Sequence, residues 1–305
     1  MATLGSMLFE AAAAGNVNSL QKLLQEDPLI LDRVVVSCFH GPVHIAALLG
    51  HIGFVREILR RKPEFARELN SHLSSPLHLA SSKGYAEVAR ALISVNAQMC
   101  LVCEKNGFTT LQLASSKGRI DVMKELLRAK PDAARVVLDR GQTILHLCVK
   151  HYQLESLKLL VETIGDQVFT NSKDSDGNSV LHWATVDFLL TGSIINVNER
   201  NLSGMTAMDV LIQSRTDVRD EEIEESLKCA GAFGSMENNS QVHTKRNRAN
   251  RGSSSYSYHP ASSSNMQKNS LQKMPKQYDD WLDKKKKCVN GGCFADSNNS
   301  ISSGS

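Results

Sequence analysis

Apolar residues recur along the chain in paired helical stretches that return at a fixed interval. The anchors Val43, Leu77, Leu111 and Leu145 lie 34 residues apart, and Leu181 follows 36 residues later. An apolar pair falls fifteen and sixteen residues after the first four anchors, at Ile58-Leu59, Leu92-Ile93, Leu126-Leu127 and Leu160-Val161. Leu8 starts the same arrangement near the N-terminus. Such periodicity predicts stacked pairs of antiparallel helices, because no single pair can bury its own apolar face.

Residues with special backbone properties mark the ends of these helices. Gly50, Gly84 and Gly118 follow their anchors by seven residues, and each is predicted to form the tight turn between paired helices. Ser75-Pro76 is typical of a helix start. The prolines at 63 and 131 predict the end of a second helix, since the residue before proline avoids the helical region.

The segment Ser75-Pro76-Leu77-His78-Leu79-Ala80 resembles the T-P-L-H-x-A signature of ankyrin repeats. The resemblance implies an all-α ankyrin-repeat solenoid over residues 6–232, with six to seven units. Ankyrin arrays work by binding another protein, so we expect an interaction protein, not an enzyme.

The links after the second helices are similar to those of plant ankyrin proteins of the bian da type. Lys62-Pro63-Glu64 and Lys130-Pro131-Asp132 carry this resemblance. Further similar segments are 174–178, 197–201 and 228–232. The resemblance implies a scaffold or adaptor in signalling, in plant immune defence, with a membrane-associated signalling component as a partner in the relatives. Those relatives end in a membrane domain with a Pro-Gly-Gly motif, which is absent after Asp280–Lys287 here, and we expect no transmembrane span in this chain.

The sixth unit is shorter than the others. Its successor's anchor, Met208, comes 27 residues after Leu181, which removes about two helical turns. We therefore expect a single helix or a stub over residues 179–190, and weak docking of the last unit, Met208–Ala232.

Charge divides the chain into an acidic body and a basic tail. From Phe233 onwards, 11 Lys/Arg against 5 Asp/Glu give +6, which leaves −3 for residues 1–232. The tail, 233–305, is poor in apolar residues, and we expect disorder with a short helix at 279–287. Without an evident signal peptide, we expect a cytoplasmic protein, with the peripheral cytoplasmic membrane face or the nucleus as alternatives.

The histidines and cysteines that could bind a metal ion each have a structural explanation. Histidine recurs one residue after four anchors, at 44, 78, 146 and 182. Stacked units hold equivalent atoms roughly 10 Å apart, so a hydrogen bond to loop backbone is favoured over a metal site. Cys100 and Cys103 form a C-x-x-C pair in a stretch expected to be extended, without the second pair that zinc usually needs. No nucleotide-binding or hydrolase motif occurs, and no cofactor, metal or nucleic acid is expected.

Ankyrin arrays generally bind partners with the fingers between units and the exposed end of the first helix. Carried over by position, the candidate partner-binding residues are Leu48, Leu49, Lys83, Lys105, Phe108, Lys117, Arg140 and Lys150. Lys83, Lys117 and Lys150 fall on successive units and are expected to form a lysine column, with Lys105 and Arg140 nearby. This column predicts either a solvated charged face or a docking strip for an acidic segment. An alternative function is a nuclear regulator that binds a transcription factor through the repeats.

Overall fold

The described part of the protein comprises five ranges of the chain. The computed structural model describes residues 4–33, 40–183, 189–190, 195–214 and 219–234. All of them belong to one compact unit, Met1–Asn239. The second unit, Ser240–Ser305, which contains the short helix expected at 279–287, lies outside the described residues.

Antiparallel helix pairs make up the described body, in agreement with the predicted ankyrin architecture. The helices are α1 (Leu4–Ala14), α2 (Val17–Glu26), α3 (Ile30–Arg33), α4 (Pro42–Leu49), α5 (Ile52–Arg61), α6 (Pro76–Lys83), α7 (Ala86–Val95), α8 (Thr110–Ser116), α9 (Ile120–Ala129), α10 (Ile144–Lys150), α11 (Leu154–Ile164), α12 (Gln167–Thr170), α13 (Val180–Trp183), α14 (Ala207–Ser214) and α15 (Arg219–Cys229). Repeats 1 to 5 are the pairs α1/α2, α4/α5, α6/α7, α8/α9 and α10/α11. Helix α13 begins the sixth repeat, and α14 with α15 forms the seventh.

The core runs continuously through the stack because each first helix packs on the next one. Contacts join α1 to α4, α4 to α6, α6 to α8, α8 to α10, α10 to α13 and α13 to α14. The anchors Leu8, Leu77 and Leu111 are fully buried at these interfaces. Ala46, Ala80 and Ala114 are also fully buried, and their small side chains let neighbouring helices approach closely.

Each predicted turn glycine adopts a left-handed backbone. Gly50, Gly84 and Gly118 have φ of 81°, 95° and 65°, a region open to glycine at little cost. Repeat 5 departs from the pattern, because Tyr152 occupies the equivalent position with φ of 58°. The turn geometry therefore persists where the sequence no longer provides glycine.

The prolines after the second helices end those helices, as predicted, and start a further turn. Lys62 and Lys130 donate their backbone N–H to Ile58 and Leu126 as the last bonds of α5 and α9. Pro63–Arg67 and Pro131–Arg135 then form 3-10 turns. These turns bury Phe65, Ala66, Ala133 and Ala134 against the core.

Short fingers connect successive repeats, at residues 70–74, 104–108, 138–142, 174–178 and 201–205. In each finger the first residue donates its backbone N–H to the carbonyl of the fifth, with N···O distances of 2.8–3.0 Å. Backbone bonds also join neighbouring fingers: Lys105 donates to His72, Ser175 to Arg140 and Leu202 to Asp176. Within residues 40–183, no such bond joins the fingers at 104–108 and 138–142.

The expectation of a shortened sixth repeat lies partly outside the described residues. Helix α13 has four residues and residues 189–190 are helical, while 184–188 and 191–194 are not described. The expected weak docking of the last repeat, Met208–Ala232, stays a prediction, while the finger that precedes this repeat is bonded to the sixth repeat. His182 Nε2 lies 3.0 Å from the Met205 carbonyl, and Asn201 Nδ2 donates to Asn178 at 2.9 Å. These bonds hold because the shortening spares the finger and the start of the first helix.

Candidate functional site

One side chain in each of the first helices α4, α6, α8, α10 and α13 ties its repeat to the following finger or loop. Nε2 of His44, His78, His146 and His182 lies 3.0–3.1 Å from a backbone carbonyl at Ser74, Val102, Asn178 and Met205. Gln112 does the same in repeat 4, donating from Nε2 to Val136 at 2.8 Å. The predicted hydrogen bonding of this position to loop backbone is confirmed.

The other ring nitrogen closes the start of the helix. Nδ1 of His78, His146 and His182 lies 2.8–2.9 Å from the hydroxyl of Ser75, Thr143 and Ser179, respectively. Burial lowers the pKa of all four histidines, most strongly for His44, to about 4. They are therefore neutral structural side chains at physiological pH. Across the described ranges, no group of three or more His, Cys, Asp or Glu is placed to hold a metal ion.

The C-x-x-C pair divides between core and surface. Cys100 is fully buried at the end of the 3-10 turn Ala97–Cys100, while Cys103 is exposed. The stretch is therefore not extended up to Cys100, because this loop turns to bury Met99 and Cys100. Burial raises the pKa of the Cys100 thiol to about 11, which leaves it protonated and unreactive at neutral pH.

A second recurring contact lies at the turns between paired helices. The residue after each turn glycine packs over the turn glycine of the preceding repeat. A methyl group added to the covered glycine would therefore clash with the covering side chain. It would lie 2.6 Å from the His51 ring at Gly15, 2.8 Å from the Tyr85 ring at Gly50 and 2.9 Å from Arg119 Cδ at Gly84. Gln153 packs over Gly118 in the same way. These covering residues make the turn end of the stack one continuous surface.

The ends of the first helices expose a row of side chains along this surface, and we call it the turn-end row. It consists of Leu49, Lys83, Tyr85, Lys117, Arg119, Lys150 and His151, all exposed. Arg119 reaches across to the preceding repeat, where its Nε donates to the carbonyl of Ser82, the residue before Lys83, at 3.4 Å. The pKa of His151 is lowered by burial and by the charges of Lys150 and Lys117. The sequence-predicted Leu49, Lys83, Lys117 and Lys150 therefore share one surface, with half-buried Leu48 beside Leu49.

Basic side chains differ in their surroundings between this row and the rest of the body. None of α4, α6, α8 and α10 contains an Asp or Glu. Among the residues that the structure describes, Lys83, Lys117 and Lys150 form no ion pair. Arginines of the second helices are instead paired, as Arg60 with Glu57 at 3.1 Å and Arg90 with Glu125 at 3.0 Å. The positive charge of the turn-end row is therefore not neutralised by neighbouring carboxylates.

The remaining candidate residues lie at the opposite end of the first helices. Lys105 and Arg140 are exposed on the fingers, and Phe108 is half-buried there. A first helix of eight residues separates the two ends by about 12 Å. The sequence expectation that Lys105 and Arg140 lie near the lysine column is thus wrong.

Three further exposed residues were not among the sequence-predicted set. Tyr85 and Arg119 follow the turn glycines, and their signal is the shared position one residue after each glycine. Leu73, 51% exposed, has φ of 54° at the finger position where Gly107, Gly177 and Gly204 stand in other repeats. The sequence feature that could have identified Leu73 is the missing glycine at this finger position.

Comparison with known proteins agrees with this architecture. A family model described as ankyrin repeats, three copies, matches residues 8–103, 43–135 and 111–198. The chain belongs to the ankyrin-repeat family. Ankyrin repeats form a protein-interaction fold.

Two similar proteins show how far the similarity to known ankyrin-repeat proteins extends. The ankyrin-repeat chain is 53% identical over 242 residues to the Ankyrin repeat-containing protein BDA1 of Arabidopsis thaliana, which confirms the bian da-type resemblance. The match covers 74% of this chain and 57% of that protein, so the chain spans less than two thirds of the relative's length. The ankyrin repeat domain of Bcl-3, a member of the IkappaB protein family, has a TM-score of 0.61 at 21% identity, covering 73% of this chain and 97% of that domain. It shows the fold alone.

Within the described ranges, no helix has both the length and the apolar character that crossing a bilayer requires.

Proposed function

We propose that the turn-end row binds an acidic segment of a partner protein. The observation that carries this proposal is the row of exposed Lys83, Lys117 and Lys150, which have no carboxylate partner in the described chain. The first helices α6, α8 and α10 contain no acidic residue and end at or next to a lysine, which gives this part of the surface a positive field. Such a field attracts carboxylates and disfavours basic partners through charge complementarity.

Basic side chains on the second helices are less suited to bind a carboxylate, because they already form ion pairs. Where an arginine already contacts glutamate, as Arg90 contacts Glu125, a partner carboxylate would compete with an existing bond. An unpaired lysine needs no such exchange, so its contact with a partner contributes more to binding. The turn-end row is for this reason a better docking surface than the second helices.

We further propose that the chain acts as a scaffold or adaptor in signalling, in the cytoplasm. Similarity to the Arabidopsis protein supports a plant ankyrin protein of that type, and plant defence is the setting that the resemblance implies. In that role, the repeats hold a partner and do not transform it. Expression of a fluorescent fusion in plant cells tests the compartment, and nuclear accumulation would contradict the cytoplasmic assignment.

The binding proposal is tested by charge reversal with a matched control. We expect the triple variant Lys83→Glu, Lys117→Glu and Lys150→Glu to bind a fluorescein-labelled Glu/Ser peptide at least about tenfold more weakly at roughly 50 mM salt. The difference should shrink at about 300 mM salt, because exposed charges are screened. Fluorescence anisotropy measures both affinities.

The control triple variant is Lys22→Glu, Arg67→Glu and Lys124→Glu. It changes the net charge equally, but at exposed positions outside the turn-end row. Circular dichroism checks that both variants fold. Undiminished binding by the row variant at low salt, or an equal loss in the control variant, would remove the proposal.

A further inference from the structure

Two apolar side chains stand together at one end of the turn-end row. Leu49, the last residue of α4, is 45% exposed, and Tyr85 is 38% exposed. The Tyr85 ring lies over Gly50, the direct neighbour of Leu49, where an added methyl group would come within 2.8–3.0 Å of three ring atoms. We call Leu49 and Tyr85 the apolar pair.

The chemistry of the row changes in one direction along the stack. Repeat 2 contributes Leu49, and repeat 3 contributes both Tyr85 and Lys83. Repeats 4 and 5 contribute Lys117 with Arg119 and Lys150 with His151. The surface is thus apolar at the repeat 2 end and basic towards repeat 5. Its two ends therefore differ, unlike those of an evenly charged strip.

The apolar pair is part of the same surface as the basic residues. Tyr85 covers the turn of repeat 2 and Arg119 covers the turn of repeat 3, so each member contacts the turn before it. Lys83 lies two residues before Tyr85, at the end of α6. A segment lying along the lysines would therefore reach the apolar pair without leaving the row.

We propose that the partner is an acidic segment with one bulky apolar side chain at one end, bound in a single direction with that side chain on Leu49 and Tyr85. This inference rests on the proposed function of the row and adds its direction and its apolar contact. Carboxylates of the segment bind Lys117 and Lys150 and hold it along the row. Burial of the apolar side chain against Leu49 and Tyr85 determines the orientation of the segment. Apolar burial adds affinity that salt does not screen.

Three labelled peptides with one acidic sequence test the direction. One carries leucine at its N-terminal end, one carries leucine at its C-terminal end, and one has serine at both. We expect one of the two leucine peptides to bind roughly fivefold more tightly than the serine peptide, as burial of about half a leucine side chain implies. The other leucine peptide should bind like the serine peptide.

Variants of the protein assign that gain to the apolar pair. Leu49→Ser should abolish the advantage of the favoured leucine peptide while leaving the serine peptide's affinity unchanged. The control is Leu29→Ser, which alters a leucine that is 56% exposed in repeat 1, away from the row. It should leave the affinities of all three peptides unchanged.

The outcomes separate this inference from the proposed function. If the serine peptide binds through the lysines but leucine adds nothing at either end, the apolar contact is wrong and the acidic docking stands. An equal gain from leucine at either end would overturn the single direction. If no acidic peptide binds, or a single-stranded oligonucleotide of equal charge binds as tightly and ignores Leu49→Ser, the acidic-segment proposal itself fails.

Discussion

At the scale of single residues, the start of α4 differs from the other first helices. Gly41 stands where Ser75, Thr109 and Thr143 cap α6, α8 and α10. His44 Nδ1 is consequently buried without a hydrogen-bond partner among the described residues. An unsatisfied buried polar atom of this kind costs about 1–3 kcal/mol.

We expect Gly41→Ser to stabilise the protein by about 1 kcal/mol relative to Gly41→Ala. Gly41 has φ of −72° and ψ of 169°, close to the −80° and 166° of Ser75, so serine fits the backbone and its hydroxyl can bond to Nδ1. The alanine variant adds the same carbon without the hydroxyl. Urea unfolding followed by circular dichroism measures both, and equal stability of the two variants would exclude the missing cap as the cause.

At the scale of elements, four fingers share an internal acceptor and one lacks it. The first residue of the finger accepts backbone N–H groups with its side chain at Asn70, Glu104, Asp174 and Asn201. Finger 138–142 begins with Leu138, which has no acceptor. It is also the finger in which Arg140 takes a left-handed φ of 59° and no backbone bond reaches the preceding finger within 40–183.

Replacement of Leu138 by asparagine should repair this finger. We expect Leu138→Asn to be about 1 kcal/mol more stable than Leu138→Ala, since its side chain would accept backbone N–H groups as Asn70 and Asn201 do. Hydrogen exchange of the amides in residues 138–142 gives the local measurement, with slower exchange expected only in the asparagine variant. Equally fast exchange in both variants would show that the acceptor is not what this finger lacks.

The sequence predicted the helix pairs more fully than the surface that they present. The interval between anchors assigns each helix, because burial of an apolar stripe dictates the period, and the turn glycines and Pro63 mark its ends. The row formed by Tyr85 and Arg119 depends on which repeat a side chain covers, and that is a contact between residues about 35 positions apart. Leu73 and Arg140 adopt left-handed backbones against their own preference, so local propensity does not predict them.

At the scale of the whole molecule, the buried histidines couple the stack to pH. Burial lowers the folded-state pKa of His44 to about 4, and lowers those of His78, His146 and His182 as well. The unfolded chain takes up these protons near pH 6.5, while the folded chain does not. Stability from these groups is therefore fully present above pH 6.5 and is lost as the pH falls towards 4.

We expect the free energy of unfolding to fall over this window, with His44 alone accounting for roughly 3 kcal/mol. His44→Gln should reduce the loss, since Gln112 shows that an amide can bond to the same backbone positions without titrating. Urea unfolding at a series of pH values measures the slope for both proteins. An unchanged slope in the glutamine variant would mean that His44 does not contribute to the acid sensitivity.

Tyr152 limits how the array could be extended. At Gly15, Gly50, Gly84 and Gly118 the next repeat places a side chain where any β-carbon would stand, whereas repeat 5 presents a tyrosine there. The interval from Leu181 to Met208 is seven residues short of the usual 34, across the stretch that would supply the next covering residue. A full-length repeat inserted after repeat 5 would place its covering side chain against Tyr152. Additional repeats can therefore be inserted only before repeat 5, or together with a change of Tyr152 to glycine.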